Sequence, residues 1–327
     1  NQLGQLGDGT TTSSNYPISV NLPTGRTATQ ISLGSYHSCA LLDNSSVVCW
    51  GAGGKGRLGN GGTSDSNVPV HVNLPTGYTA TAVSAGDGST CAVLDNGSSY
   101  CWGWNDYGQL GDGTTTDRST PVNVLIPTGR TVVELSAKWI HVCALLDDSS
   151  VYCWGQNQFG QLGDGTTTDR LSPVRIEGYG ADTAMRLPPG GAKPLTMFVV
   201  AADGTAMGSG KNNYGQLGNG GTDDVRTAGA IPELGGGIVE IARGYEHTLV
   251  LGGHVERAAR AFAHHHDVLR HRRPIVDGRG PLNLERAVLH ALVAHRRRRD
   301  LLVRHEAPRR RRGRPVLRVL RRRIRFA

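Results

Sequence analysis

The sequence predicts an all-β protein, a β-propeller of repeats about 52 residues long, of which four to five blades are represented. Three observations carry that prediction. One short string recurs at a fixed period, each period holds about four β-prone runs, and the central hairpin is apolar on both faces.

The string Gly-Gln-Leu-Gly, or a variant, stands at Gly4–Gly7, Gly56–Gly59, Gly108–Gly111, Gly160–Gly163 and Gly215–Gly218, at steps of 52, 52, 52 and 55 residues. Trp50, Trp102 and Trp154 step by 52, and so do the cysteines. A fixed period of this length means one structural unit copied.

In the third copy, Val132 to Ser136 is a β-prone run and Val142 to Leu146 a strand. Asp147 to Ser150 is a turn, and Val151 to Trp154 the returning strand. Residues 155–168 form a Gly-, Asn- and Thr-rich loop, and Ser172 to Ile176 a last, edge-like strand. Short β runs separated by turn signals, with no sustained 3.6-residue pattern, are the content of a propeller blade. If Cys39 faces Cys49, Leu41 faces Val47 on the same side. Ala40, Leu42, Val48 and Trp50 then fall on the other. A strand pair apolar on both sides must be covered on both sides, as a blade between two blades is.

These units resemble regulator of chromosome condensation repeats. The matching strings are Ile31-Ser-Leu-Gly-Ser-Tyr-His-Ser-Cys-Ala-Leu41, Ile241-Ala-Arg-Gly-Tyr-Glu-His-Thr-Leu-Val-Leu251 and the Gly-Gln-Leu-Gly turn, over roughly residues 1–252. Ser89 departs from the column of His37, His141 and His247, and Lys138 replaces its Gly. The resemblance implies a propeller of usually seven blades. Four full hairpins and partial units at both ends are present here.

The six cysteines form three C-x9-C pairs, for which hairpin parity selects 39–49, 91–101 and 143–153. In the fourth unit Phe198 and Gly208 replace both members together. Buried free thiols are the alternative; zinc lacks the spacing of a structural site. Disulfides imply an oxidising, extracytoplasmic compartment, either secreted, periplasmic or cell-surface. A cytoplasmic or nuclear location is the alternative that the family's founding member implies.

The overall charge of +8 averages two unlike parts. Residues 1–252, the repeat array, carry 13 Lys and Arg against 21 Asp and Glu. Residues 253–327 carry 22 Arg, no Lys, and 6 Asp and Glu. This tail is expected to be disordered or an isolated helix around Asn283–His295. Its composition is that of an out-of-frame translation of a GC-rich gene; a basic arm for nucleic acid or membrane and plain solvated charge are the alternatives. The chain opens on Asn1 and reads as a fragment or a processed product. Apolar stretches reach about five residues, too short for a transmembrane helix.

No catalytic motif, cofactor fingerprint or metal series is found. Asp8, Asp112 and Asp164 recur in turn-forming Asp-Gly pairs, with calcium as the sharper alternative. The histidine column reads as a structural hydrogen bond near a strand start. The expected function is therefore a non-enzymatic scaffold that binds a protein partner. The alternatives are a guanine-nucleotide exchange factor for a small GTPase, as the resemblance suggests, or an enzyme inhibitor similar to propeller-shaped β-lactamase inhibitors. The candidate partner-binding residues are Tyr36, Asp87, Trp139, Tyr245 and Glu246, tips that differ between near-identical repeats. Drift at unconstrained tips is the bland reading of the same variation.

Overall fold

The computed structural model describes residues 1–177, 184–188, 195–234, 237–244, 246–252 and 260–262. They form an incomplete propeller. Blade 1 holds β1 (Ala28–Leu33), β2 (His37–Leu42), β3 (Val47–Gly51) and β4 (Ser66–His71). Blade 2 holds β5 (Ala80–Ala85), β6 (Ser89–Leu94), β7 (Ser99–Gly103) and β8 (Arg118–Asn123). Blade 3 holds β9 (Val132–Ala137), β10 (His141–Leu146), β11 (Val151–Gly155) and β12 (Arg170–Arg175). Blade 4 holds β13 (Ala184–Arg186), β14 (Thr196–Ala201), β15 (Ala206–Gly210) and β16 (Val225–Ala230). Among the described residues, blade 5 has three strands, β17 (Ile238–Arg243), β18 (Thr248–Gly252) and β19 (Arg260–Phe262). Every sheet is a meander of antiparallel neighbours.

The hairpin register is the one that cysteine parity requires. Cys39 faces Cys49, Leu41 faces Val47, and Ser38 faces Trp50. Three disulfides join Cys39 to Cys49, Cys91 to Cys101 and Cys143 to Cys153. In blade 4 the same cross-strand position pairs Phe198 with Gly208. One large side chain over a glycine fills the space that two linked sulfurs fill elsewhere.

Every residue of β2, β6, β10 and β14 is buried. The disulfide face of one blade packs on the tryptophan face of the next. Cys39, Leu41, Val47 and Cys49 share a core with Ala92, Leu94 and Trp102, and Cys91, Val93 and Cys101 share one with Val142, Ala144 and Trp154. Burial of this kind stabilises by about 25 cal/mol per Å² of apolar surface, and here it accrues between blades.

Polar bonds fix the blade-to-blade spacing. The indole N–H of Trp50 donates to Gln5 O, that of Trp102 to Arg57 O and that of Trp154 to Gln109 O, at 2.9–3.0 Å. Each acceptor lies in the Gly-Gln-Leu-Gly turn of the preceding repeat. The last glycine of that turn lies against the indole, and a Cβ on Gly59 would sit 2.6 Å from Trp102 Nε1. Along the inner strands, side chains of one blade bond backbone of the next. Gln30 Oε1 accepts from Val83 N, Ser32 Oγ from Ala85 N, Ser84 Oγ from Ala137 N and Glu134 Oε2 from Leu187 N.

Residues 1–24 reproduce the second half of a repeat. Asn21 N bonds Gly7 O as Asn73 N bonds Gly59 O, and Val20 and Leu22 cover the Trp50 face of blade 1. At the other end β19 falls inside the segment expected to be tail. It pairs with β18 so that Phe262 stands opposite Thr248, as Trp50 stands opposite Ser38. The helix expected at 283–295 lies outside the described residues. Among those residues, no helix is long and apolar enough to cross a membrane.

Replacing Cys39 and Cys49 together by alanine is expected to cost at least about 2.5–3 kcal/mol in urea unfolding, from the loss of a cross-link over a loop of about ten residues. The hairpin turns test the backbone independently. Ser45 and Ser149 adopt φ of 61° and 64°, where Gly97 and Gly204 stand in the other blades. Ser45→Gly and Ser149→Gly are each expected to raise stability by about 0.5–1 kcal/mol, read as a higher urea midpoint.

Candidate functional site

One end of the blades collects the β1–β2, β5–β6 and β9–β10 turns beside the loops that follow β3, β7, β11 and β15. Backbone bonds set them side by side. Ala52 N donates to Tyr36 O, Trp104 N to Gly88 O, Gln156 N to Ile140 O and Lys211 N to Leu195 O. Successive inner turns abut, since a Cβ built on Gly34 would collide with Gly86 O, and one on Gly86 with Lys138 O.

The expected partner-binding residues sit on these turns. Tyr36 is exposed, with the Arg57 guanidinium 5.9 Å above its ring. Asp87 is half-buried; its N–H donates to Lys138 O, and its buried Oδ1 has no partner. Trp139 and Glu246 are half-buried. Tyr245 lies outside the described residues. Asp87 and Trp139 thus occupy equivalent points on adjoining turns, where Ser35 stands in blade 1; Tyr36 is one residue further along, at the point where Gly88 and Ile140 are buried.

The neighbouring loops add residues that the repeat comparison of the inner turns does not single out. Trp104 meets Tyr107 edge to face at 5.6 Å. Lys211 Nζ lies 5.6 Å from both the Phe159 and the Tyr214 ring. Lys55 bonds Asp117 at 2.8 Å and lies 3.9 Å from Asp106; the Asp117 bond and charge raise its pKa. The signal was present in the sequence. An aromatic residue immediately precedes the turn glycine at Tyr107, Phe159 and Tyr214.

A buried asparagine braces the loops after β7, β11 and β15, while Gly53 stands at that position after β3. Asn105 Nδ2 donates to Asp112, Thr114 O and Thr116 O, while its Oδ1 accepts from Leu110 N. Asn157 repeats the pattern with Asp164, Thr166, Thr168 and Leu162. Asp112 is held by Arg118 at 2.9 Å and Asp164 by Arg170 at 2.7 Å. Burial pushes both carboxyls up, but bonds from threonine, arginine and asparagine outweigh it and leave both below the usual range. Their oxygens are engaged in building the loop. Among the described residues, no group of three His, Cys, Asp or Glu side chains is placed to hold a metal.

Beneath the turns, the histidine column is structural at its first member. The buried His37 Nε2 lies 2.7 Å from Thr90 Oγ1 of the next blade. Burial, then the Arg57 charge, lowers its pKa to about 3. His141 is equally buried, but neither ring nitrogen has a partner. Met197 stands in blade 4 where Thr90 stands in blade 2, so no hydroxyl is offered. Lys138 is buried with its Nζ 3.9 Å from Cys143 Sγ, and burial, then Arg243, lowers its pKa well below the usual lysine value.

A family model described as the RCC1-like domain matches residues 1–256. The ultraviolet-B receptor UVR8 of Arabidopsis thaliana is 30% identical over 251 residues, covering 76% of this chain and 56% of UVR8. The E3 ubiquitin-protein ligase HERC2 of Homo sapiens is 31% identical over 201 residues, 61% of this chain and 4% of HERC2. The chain therefore spans about half of the one relative and a small part of the other. Among solved structures, human WBSCR16 superposes with a TM-score of 0.62 at 22% identity, over 71% of this chain and 62% of that one. Prp20p from Saccharomyces cerevisiae gives 0.57 at 22%, over 68% and 54%. At such identity the likeness is one of fold.

The His37 environment sets a pH dependence. In the unfolded chain the imidazole takes a proton near its ordinary pKa of about 6.5; in the folded chain it resists down to about 3. The stability this group contributes is complete above the unfolded value. It is lost as pH falls through that window toward the folded one, at up to about 1.4 kcal/mol per pH unit. His37→Gln has no proton to gain. Its Tm is expected to fall less than the parent's between neutral pH and roughly pH 4.5; an equal fall would place His37 outside this linkage.

Proposed function

Because the chain belongs to the RCC1-like domain family, we propose that it is a non-enzymatic scaffold that binds a protein partner through the face described above. The observation that carries this reading is the contrast between framework and tips. Strands and turns repeat almost unchanged, and the disulfides recur in three blades, while the two turn positions Ser35-Tyr36, Asp87-Gly88 and Trp139-Ile140 differ from one blade to the next. Trp104, Tyr107, Phe159 and Tyr214 enlarge the aromatic area beside them. Aromatic and arginine side chains dominate binding energy at protein interfaces, and Arg57 and Lys211 stand against these rings. Glu246, between β17 and β18, extends the same rim in blade 5, and Tyr245 precedes it in sequence. Prp20p, which shares the fold, has binding properties to Gsp1p and histones; the partner of this chain is a matter of its own tips.

The same reading places the chain outside the cytosol. Three disulfides fit an oxidising compartment, since cytosolic thiol pools keep such pairs reduced. The Arg-rich segment beyond β19 is proposed to take no share in the binding face.

Tyr36→Ala and Trp139→Ala, alone and together, are expected to leave the Tm nearly unchanged and to weaken capture of the native partner by at least about 1 kcal/mol each. The partner is first recovered by crosslinking to the wild-type chain, then titrated. Tyr78→Ala is the control, an exposed aromatic at the opposite end of the blades. Normal binding by the double variant would move the site elsewhere. Unfolding would place these aromatics in the core.

A further inference from the structure

Lys138 breaks the repeat at a buried position. Gly34, Gly86 and Gly244 hold the same place in blades 1, 2 and 5. A side chain is poorly accommodated there, since a Cβ built on Gly34 would strike the ring of His37, and one on Gly244 the ring of His247. Blade 3 nevertheless carries a full lysine at this point, 1% exposed.

The amine ends at a disulfide. Lys138 Nζ lies 3.9 Å from Cys143 Sγ, the only side-chain hydrogen bond it makes among the described residues. A disulfide sulfur is a weak acceptor, so a buried amine is left with little to bond. Two further buried basic groups act on the same spot. Arg243 adds to the burial that lowers the pKa of Lys138, and Lys138 and Arg243 both add to the burial that lowers that of His141. The three disulfides are otherwise alike. Each joins directly opposed residues of one hairpin, and all six cysteines are fully buried. The amine sets the third apart.

We propose that Cys143–Cys153 is a redox-active site, opened by a dithiol reductant at a milder potential than the other two bonds because Lys138 stabilises its reduced form. A thiolate of the reductant attacks Cys153 Sγ, and Cys143 Sγ leaves as a thiolate. The second thiol of the reductant then resolves the mixed disulfide on Cys153, and the reductant departs as its own disulfide. Its two protons end on Cys153 Sγ and on Lys138 Nζ. The product pairs a Cys143 thiolate with a Lys138 ammonium, so that reduction gives the amine the partner it lacks in the oxidised state. A basic neighbour of this kind lowers a cysteine's pKa and makes it the better leaving group, and a stabilised reduced form makes a disulfide more oxidising. Blade 3 is therefore released first while blades 1 and 2 keep their cross-links. Lys138 and Trp139 are neighbours in the β9–β10 turn, so the change arises next to the candidate face, but the potential of the bond is independent of any partner.

Equilibration of the full chain in graded ratios of reduced to oxidised dithiothreitol, approached from both sides, tests this. Differential alkylation and peptide mass spectrometry read the three bonds in one molecule. Cys143–Cys153 is expected to be half-reduced at a ratio at least about tenfold lower than either other bond, a difference of about 30 mV. Lys138→Met keeps the bulk without the amine and is expected to bring the three midpoints together; urea unfolding of the oxidised variant verifies its fold. Cys153→Ala leaves Cys143 as a lone thiol. Its thiolate absorbance is expected to titrate below the ordinary value of about 8.5, and adding Lys138→Met is expected to abolish that shift. Three coincident midpoints in the wild type, a gap that survives Lys138→Met, or a Cys143 thiol titrating at or above its ordinary value would each overturn the proposal.

Discussion

The bond from the indole of each strand-ending tryptophan (Trp50, Trp102 and Trp154) to a carbonyl in the preceding repeat is the constraint on which the other features depend. It joins Trp102 to Arg57 O and Trp154 to Gln109 O, both indoles fully buried. A buried N–H without an acceptor costs about 1–3 kcal/mol, so the turn must present its carbonyl at that point. The glycine at the end of the turn follows, because any Cβ there would strike the ring. The asparagine hub follows in turn, since Asn105 Oδ1 holds Leu110 N and so orients the segment that carries Gln109 O. The rigid loop that results is the one that presents Trp104 and Tyr107 at the face.

Where the tryptophan is absent the molecule uses other bonds. Ser209 stands at the indole position in blade 4, and its hydroxyl bonds nothing. Blades 3 to 5 are tied instead through Pro188 O, which accepts from Ser136 Oγ and from Arg243, while Arg243 also reaches Thr196 O. Pro188 belongs, in sequence, to the lengthened part of the repeat. The departure from the 52-residue period thus coincides with a change in what holds neighbours together.

The disulfide register was legible because parity on a hairpin leaves a single pairing that puts both cysteines on one side. The two-sided burial was legible for the same reason, as Ala40, Val48 and Trp50 alternate with Cys39, Leu41 and Val47. The inner-strand ties were not. Gln30, Ser32, Ser84 and Glu134 read locally as polar positions of an exposed strand, and their acceptors lie 53 residues away on another sheet. The asparagine column at Asn1, Asn105, Asn157 and Asn212 has a visible period, but Asn in a Gly-rich loop already has a local explanation as a turn former. Of the candidate face, the inner tips were legible as variation between repeats. The outer aromatics were not, because an aromatic residue before a glycine reads equally well as packing. β19 was hidden for a different reason: Arg260 to Phe262 share no string with the repeats, and only the register shows that they take a third strand's place.

Hydrogen exchange of the indole N–H protons of Trp50, Trp102 and Trp154, followed by NMR under native conditions, measures the central claim directly. Protection of Trp102 and Trp154 close to the global unfolding free energy, with Trp50 at the half-repeat end exchanging sooner, is the predicted result. Exchange of all three at the rate of a free indole would contradict it.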